Sequence, residues 1–162
     1  MQPIPESTIR STLVNGSLRE RNNLTLPPLT TLLWDSLDYL GWRDVKVSSL
    51  GYVFVELDDG PVGILLRQSE GSTRSRAQCS WCEDVQLPND VALFSAKRSG
   101  QAGRNGNTVG TLVCAAFECS ANVRKRPPMA YLGFDVDAAR TRRIEALCEH
   151  VRAFALDIRD GQ

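Results

Sequence analysis

The sequence predicts an α+β fold, a small antiparallel sheet with flanking N- and C-terminal helices. Two β-rich runs between residues 52 and 67 flank an Asp-Gly turn, which is typical of a β-hairpin. Residues 136–159 repeat apolar side chains at helical spacing. Four of the five cysteines form two close pairs, at 79–82 and 114–119. These observations together favour a sheet, a long carboxy-terminal helix and a site built from cysteines.

Length and composition indicate one globular domain, spanning residues 1–162. The hydrophobic fraction is 42% and the charged fraction 23%, and no apolar run has the length of a membrane span, so we expect no membrane contact. Residues 1–6 carry neither a basic nor an apolar leader pattern. A cytoplasmic location with reduced thiols is therefore expected.

The amino-terminal elements are short. Ile9, Leu13 and Val14 recur at helical spacing, which predicts an amphipathic helix over residues 6–15. Pro27-Pro28 interrupts any helix that begins near Ser17. The leucine-rich run 29–40 is expected to pack in the core and to include a helical turn.

The central elements are predicted to be strands. Tyr52–Leu57 and Val62–Arg67 form the hairpin, since Gly60 supplies a positive φ, and residues 68–77 form a loop. Val91–Ala96 and Val109–Val113 form a second pair of strands, and residues 97–108, rich in glycine and polar residues, join them as an exposed loop.

Two helices complete the chain. Residues 120–126 form a short helix that Pro127-Pro128 stops. The stripe in 136–159 predicts a helix that Asp135 or Asp137 caps. The fifth cysteine, Cys148, lies on the apolar stripe and is expected to be a buried, unreactive thiol.

The two cysteine pairs predict a zinc site. Cys79 and Cys82 have the CxxC spacing that presents two thiolates to one metal from a tight turn, and Cys114 and Cys119 supply two more from a strand end and the following helix. Two disulfides or four unligated thiols are the alternatives. A knuckle, a hairpin and a cysteine pair that enters a helix follow the order of a treble-clef zinc finger. Four thiolates leave no open position, so the single Zn²⁺ would be structural and would hold the hairpin and its loop in place.

The chain is predicted to consist of four regions around the zinc finger. They are an N-terminal helical segment over residues 1–33, a hairpin region over 34–77, the treble-clef zinc finger over 78–126, and the C-terminal helix over 127–162.

Enzymatic chemistry has little support in the sequence. His150 is the only histidine and lies within the predicted helix, without positioned neighbours for a triad. Its use in a hydrolase is an alternative with little support. The carboxylate pairs Asp35/Asp38 and Asp58/Asp59 lie in a predicted helical turn and in the hairpin turn, so structural roles are expected for both. We therefore expect no enzyme activity and no small-molecule substrate.

Basic residues are concentrated between positions 97 and 126. Six basic side chains there are opposed only by Glu118. They are Lys97, Arg98, Arg104, Arg124, Lys125 and Arg126. Such a stretch suits an acidic partner or RNA phosphate, and a solvated loop and helix end is the alternative.

Several motifs resemble those of a known family. They are Leu37–Asp44, the CxxC at Cys79-Ser80-Trp81-Cys82, the strand Val91–Phe94, the loop Gly103–Gly110, and the run Cys114–Cys119 followed by Ser120. As a set they resemble the short actinobacterial-type relatives of the fusidic acid resistance protein FusB, the elongation factor G binding family. The resemblance covers about residues 34–126 and extends more loosely to Phe154.

The resemblance implies a treble-clef domain that binds elongation factor G and promotes its release from the ribosome, without a bond being made or broken. The family's zinc ligands correspond to Cys79, Cys82, Cys114 and Cys119. Its aromatic and lysine contact positions correspond to Gln78, a position near Thr108 or Val109, Leu112 and Phe154, of which Phe154 matches.

The predicted partner-binding residues combine these positions with the basic stretch. They are Lys97, Arg98, Arg104, Leu112, Arg124, Lys125, Arg126 and Phe154. The alternative function is a zinc finger that binds ribosomal or other RNA, with Phe117 able to stack on an unpaired base.

Overall fold

The computed structural model describes residues 1–70, 77–84, 90–129 and 131–161. Within these residues, one antiparallel sheet has the strand order β1-β2-β3-β4-β5. Its strands are β1 (Leu40–Arg43), β2 (Leu50–Leu57), β3 (Gly60–Gln68), β4 (Val91–Lys97) and β5 (Thr108–Cys114). The helices are α1 (Glu6–Ser11), α2 (Leu18–Asn23), α3 (Gly100–Arg104), α4 (Cys119–Arg124) and α5 (Val136–Asp160). The α+β prediction is confirmed.

The amino-terminal segment packs on one face of β1–β3. Ile9 and Leu13 are fully buried there and belong to the same cluster as Tyr52, Phe54 and Leu65. The predicted helix over 6–15 ends early, at Ser11. The chain leaves the helix because residues 12 and 14 exchange main-chain hydrogen bonds of 2.9 Å with residue 63 of β3. The segment thus joins the sheet instead of continuing its helix.

The second helix begins with a capping box. The Ser17 hydroxyl accepts from the Glu20 main-chain N–H, and the Glu20 carboxylate accepts from the Ser17 N–H. This reciprocal pair satisfies two donors at the helix start. The predicted helical turn within 29–40 takes the form of two 3₁₀ turns, Leu29–Thr31 and Trp34–Ser36.

The predicted hairpin is confirmed as β2 and β3, which pair from Leu50↔Arg67 to Leu57↔Gly60, and Gly60 has φ 123°. The strand β1 is absent from the sequence prediction. It pairs with β2 and places Trp42 5.2 Å from Tyr52 and 5.6 Å from Phe54, between ring centroids. Of the predicted loop 68–77, residues 71–76 lie outside the described residues.

The second pair of strands is also confirmed, but its connection is more ordered than predicted. Residues 97–108 contain the helical turn α3. A Cβ on Gly103 would lie 1.8 Å from the Arg98 carbonyl oxygen, so this close packing requires glycine. The Ser99 N–H donates to the Ile158 carbonyl at 2.8 Å, which ties the connection to the end of α5.

The long helix α5 covers the other face of the sheet. Leu147, Val151, Ala155 and Ile158 are buried in one cluster with residues of β2–β5, as the apolar stripe predicts. Asp135 caps the helix by accepting from the Ala138 N–H at 2.8 Å. Cys148 lies beside the centre of the stripe and is half-buried rather than buried, and burial raises the pKa of its thiol. In the described part of the chain, no helix combines the length and apolarity that crossing a bilayer requires.

Candidate metal centre

The four paired cysteines converge on one point. The sulfur atoms of Cys79 and Cys119 lie 3.6 Å apart, and those of Cys82 and Cys114 also lie 3.6 Å apart. All four sulfurs fall within 4.8 Å of one another, and all four residues are buried. Segments that are distant in sequence thus form one compact thiol cluster.

Cys79 and Cys82 lie in a tight turn whose main-chain N–H groups point at the Cys79 sulfur. The N–H groups of Trp81 and Cys82 donate to the Cys79 sulfur at 3.4 and 3.5 Å. The Glu83 N–H donates to the Cys79 carbonyl at 3.0 Å, and Glu83 has φ 55°. This turn holds both sulfurs on the same side, and its amide donors favour a negatively charged sulfur at Cys79.

The second pair spans the end of a strand and the start of a helix. Cys114 is the last residue of β5 and Cys119 the first of α4. Between them, Phe117 adopts φ 60° and its N–H donates to the Cys114 carbonyl at 2.8 Å. The side-chain amide of Asn122 donates to the Cys114 sulfur at 3.4 Å. The chain therefore reverses sharply enough to return Cys119 to the cluster.

A left-handed conformation is unfavourable for phenylalanine, so its packing must offset the cost. The Phe117 ring is buried, with its centroid 5.2 Å from that of Phe94. Gly41 and Gly51 make room for it, since a Cβ on either would lie within 2.8 Å of a Phe117 atom. The sheet thereby fixes the turn that presents Cys119.

The spacing of the sulfurs fits one zinc ion. Four thiolates at the usual Zn–S distance of about 2.3 Å form a tetrahedron with edges of about 3.8 Å. The two distances of 3.6 Å are close to that edge. Because four sulfurs complete the coordination, such an ion has no position for water or substrate.

The electrostatics of the cluster also favour a cation. Hydrogen bonds from Cys114 and Cys119 hold the pKa of the Cys79 thiol far below its usual range. The hydrogen bond to Cys114, together with the other thiols, holds the pKa of Cys119 far above it. Four adjacent thiolates repel one another, so the cluster does not hold all four negative charges by itself. A divalent cation offsets this repulsion and favours deprotonation of all four sulfurs.

Aromatic side chains enclose the knuckle formed by residues 79–82. The Trp81 ring lies 5.4 Å from Tyr39, edge to face, and 5.4 Å from Phe154. The Tyr39 hydroxyl donates to the Phe117 carbonyl at 3.0 Å, and burial holds the pKa of Tyr39 well above its ordinary value. The His150 Nδ1 lies 3.0 Å from the Trp81 carbonyl, so this ring nitrogen binds the knuckle backbone.

A knuckle, a strand hairpin and a helix that begins on a cysteine define a treble-clef zinc finger. The sequence profile of the family described as the FBP C-terminal treble-clef zinc-finger matches residues 8–158, and the chain belongs to this family. No curated protein and no solved structure matches the chain. The family and the cysteine cluster together support one structural zinc ion, as the sequence predicts.

The predicted partner-binding residues do not form one surface. Lys97, Arg98 and Arg104 lie beside the tip of the β4–β5 hairpin, where Lys97 pairs with Thr108. Cys114 lies at the other end of β5, where it pairs with Val91. Six residue steps along a strand separate the two ends by about 20 Å. The zinc cluster therefore does not hold this connection in place, contrary to the prediction, and the end of α5 does so.

Two of the predicted contact residues are engaged within the chain. Arg98 forms an ion pair with Asp157 at 2.7 Å. Arg124 donates to both carboxylate oxygens of Asp38, and this hydrogen bonding raises the pKa of Arg124. Their guanidinium groups hold elements of the fold together.

The apolar predicted residues both lie next to the knuckle. The Leu112 carbonyl accepts from the Ser80 N–H at 2.7 Å, and Phe154 packs on Trp81. Both side chains are half-buried. Lys125 and Arg126 follow α4 and are exposed, although the Lys125 ammonium donates to Asn122 at 2.7 Å.

Sequence reasoning missed one exposed apolar segment, next to this basic pair. Met129 is 64% exposed, Tyr131 65% and Leu132 98%. Leu33 and Val45, elsewhere in the described chain, are exposed to a similar degree, but exposed apolar side chains that are neighbours in one segment often mark a contact surface. The signal in the sequence was their position between Pro127-Pro128 and the helix cap, outside any amphipathic element.

Proposed function

We propose that this chain is a non-enzymatic, cytoplasmic protein that binds translation elongation factor G and promotes its release from the ribosome. Cys79, Cys82, Cys114 and Cys119 are its zinc ligands. The observation that carries the proposal is membership of the FBP C-terminal zinc-finger family across residues 8–158, since the sequence motifs resemble those of proteins that bind this factor.

The proposed contact surface surrounds the knuckle. Leu112 and Phe154 approach it from β5 and α5, and each is half-buried, which leaves part of each side chain for a partner. A few partly exposed apolar residues on a rigid support are the usual source of affinity in a protein interface. The zinc ion and the Tyr39–Trp81 contact supply that support here.

A second part of the surface follows α4. Lys125 and Arg126 are exposed cations, and Met129, Tyr131 and Leu132 are exposed apolar residues of the same segment. Charges at the rim of an interface mainly raise the association rate with an acidic partner. We assign Lys125 and Arg126 to steering and the apolar residues to affinity.

The closed metal site supports a binding role. Four sulfurs occupy the coordination positions, so the ion is placed to hold structure rather than to activate water. His150 is directed at the Trp81 carbonyl rather than at a nucleophile. Release of elongation factor G would then follow from binding alone, by competition or by a change in the factor's conformation.

Size-exclusion chromatography of the two purified, nuclease-treated proteins tests the proposal. We expect a one-to-one complex for the wild-type chain and a weaker complex for Phe154→Ala. Leu156→Ala is the matched control, because Leu156 lies on the same helix, is 40% exposed and is apolar. Failure of the wild-type proteins to co-elute at modest salt, or equal loss in both variants, would contradict the proposal.

A further inference from the structure

A cleft lies at the end of the molecule away from the zinc cluster. It has a volume of about 560 Å³ and lies between three parts of the chain. Residues 14–20 form one wall, Leu65 and Arg67 of β3 the second, and residues 95–108 with α3 the third. The Asn15 side chain closes the base, since it donates to the carbonyls of Leu65 and Lys97 at 3.0 Å each.

The cleft is strongly basic although the whole chain has no net charge. Arg67, Lys97, Arg98 and Arg104 line it, and among the described lining residues Glu20 is the one carboxylate. Arg98 is already paired with Asp157, which lies outside the lining, and Arg67 is paired with Glu20. Lys97 also attracts Glu20 electrostatically. The four cations outnumber the two carboxylates, Glu20 and Asp157, so the cleft keeps a net positive charge.

Lys97 and Arg104 are available to a ligand. Both are exposed, and Arg104 uses only its Nε, which donates to Gln101 at 3.0 Å. Among the described residues, the Lys97 ammonium attracts the Glu20 carboxylate but forms no hydrogen bond or close ion pair. Their backbone is nevertheless ordered, because Gly103 packs tightly on Arg98 and the Ser99 N–H is bonded to α5. Lys97 and Arg104 thus offer hydrogen-bond donors on a backbone that is held in place.

We propose that this cleft binds the phosphodiester backbone of a nucleic acid. Val14 and Leu65 are the large apolar side chains among the described lining residues, and the others are charged, hydroxylated, glycine or the amide Asn15. An acidic protein segment would find few apolar anchors there, whereas phosphate contacts use cations, hydroxyls and small residues. None of the described residues that line the cleft is aromatic, so the contact would read the backbone and not the bases.

This site is separate from the proposed elongation factor surface. Thr108 in the cleft and Leu112 beside the knuckle lie on the same strand, four residues apart. That spacing corresponds to about 13 Å along a strand. The chain would then hold a protein partner at the knuckle and nucleic acid at the hairpin tip at the same time.

Fluorescence anisotropy of the zinc-loaded full chain tests the inference, with a labelled 12-nucleotide RNA and DNA of the same sequence as probes. We expect saturable binding at 50 mM salt that weakens as salt rises. Lys97→Gln with Arg104→Gln should weaken it about tenfold and reduce the slope against log salt by about 1 to 2, because two phosphate contacts are lost. Tighter binding of RNA would add a 2′-hydroxyl contact, and equal binding would indicate phosphate alone; both support the site.

The matched control is Arg126→Gln with Arg142→Gln, which removes two exposed cations away from the cleft. It should change affinity less than twofold, and Lys97→Gln with Arg104→Gln should leave elongation factor G binding unchanged. No binding by the wild-type chain at 50 mM salt, or equal loss in both double variants, would overturn the inference. Displacement of RNA by poly-glutamate at equal charge concentration would also overturn it, in favour of an acidic protein ligand.

Discussion

Arg124 donates to both carboxylate oxygens of Asp38, at 2.5 and 2.9 Å, and so joins the helix that begins on a zinc-binding cysteine to the segment that enters β1. The Asp38 N–H also donates to the Ser120 hydroxyl at 3.0 Å. The Asp38 side chain is 7% exposed and that of Arg124 30%. A two-point contact that is largely shielded from water holds the finger against the sheet.

Arg124→Ala should therefore destabilise the fold. Removal of one partner leaves a nearly buried carboxylate unpaired, which costs about 2–3 kcal/mol in the free energy of unfolding. Urea denaturation measures the loss. Arg142→Ala removes an exposed arginine of α5 and should cost less than about 0.5 kcal/mol. Equal stability of the two variants would show that the pair with Asp38 contributes nothing.

Gly51→Ala should weaken the zinc site from a distance. The added Cβ would lie 2.5 and 2.6 Å from atoms of the Phe117 ring, which packs the turn between Cys114 and Cys119. Overpacking of this kind costs about 1–3 kcal/mol. We expect a lower free energy of unfolding and faster zinc transfer to a chromogenic chelator.

Gly110→Ala is the control for that variant. Gly110 also lies in a strand, but its Cβ would have its nearest neighbour at 3.7 Å, an ordinary contact. Its zinc transfer rate should equal that of the wild-type chain. A wild-type rate in Gly51→Ala as well would mean that Phe117 adjusts without moving the ligands.

Cysteine substitutions should separate ligands from the spare thiol. Cys119→Ser removes one corner of the cluster, so the purified protein should contain well below one equivalent of zinc and unfold more easily, because metal binding and folding are coupled. Cys148→Ser should retain one equivalent, since Cys148 lies outside the cluster. Elemental analysis of both proteins checks this, and equal zinc content would contradict the ligand set.

Zinc removal should expose Trp81. The Trp81 residue is 2% exposed and its main-chain N–H donates to a ligand sulfur, so loss of the metal should loosen the knuckle and shift tryptophan emission to longer wavelength. The shift should be absent in Trp81→Phe, although Trp34 and Trp42 remain. A shift that persists in Trp81→Phe would place the change in the amino-terminal cluster instead.

Local patterns predicted most of the framework. The Asp58-Asp59-Gly60 turn, the stripe of α5 and the spacing of the cysteines depend on residues close together in sequence, and each has the predicted structure or neighbours. The short strand β1 was missed because its four residues form a strand only through pairing with β2.

Local sequence does not predict which basic residues form ion pairs within the fold. Arg98 and Arg124 find their acidic partners 59 and 86 residues away, and nothing near either residue signals that pairing. The division of the basic stretch between two ends of the molecule follows from the length of the β4–β5 hairpin. The cleft at its tip also requires the amino-terminal segment, whose place on the sheet is a tertiary property.

Calorimetric titration of the zinc-loaded chain into nuclease-treated elongation factor G tests the proposed function most directly. We expect saturable one-to-one binding, an affinity at least tenfold lower for Phe154→Ala, as for a central apolar anchor, and wild-type affinity for Leu156→Ala. Absence of binding by the folded, zinc-loaded wild-type chain would contradict the proposed partner. Wild-type affinity in Phe154→Ala would contradict the proposed surface around the knuckle.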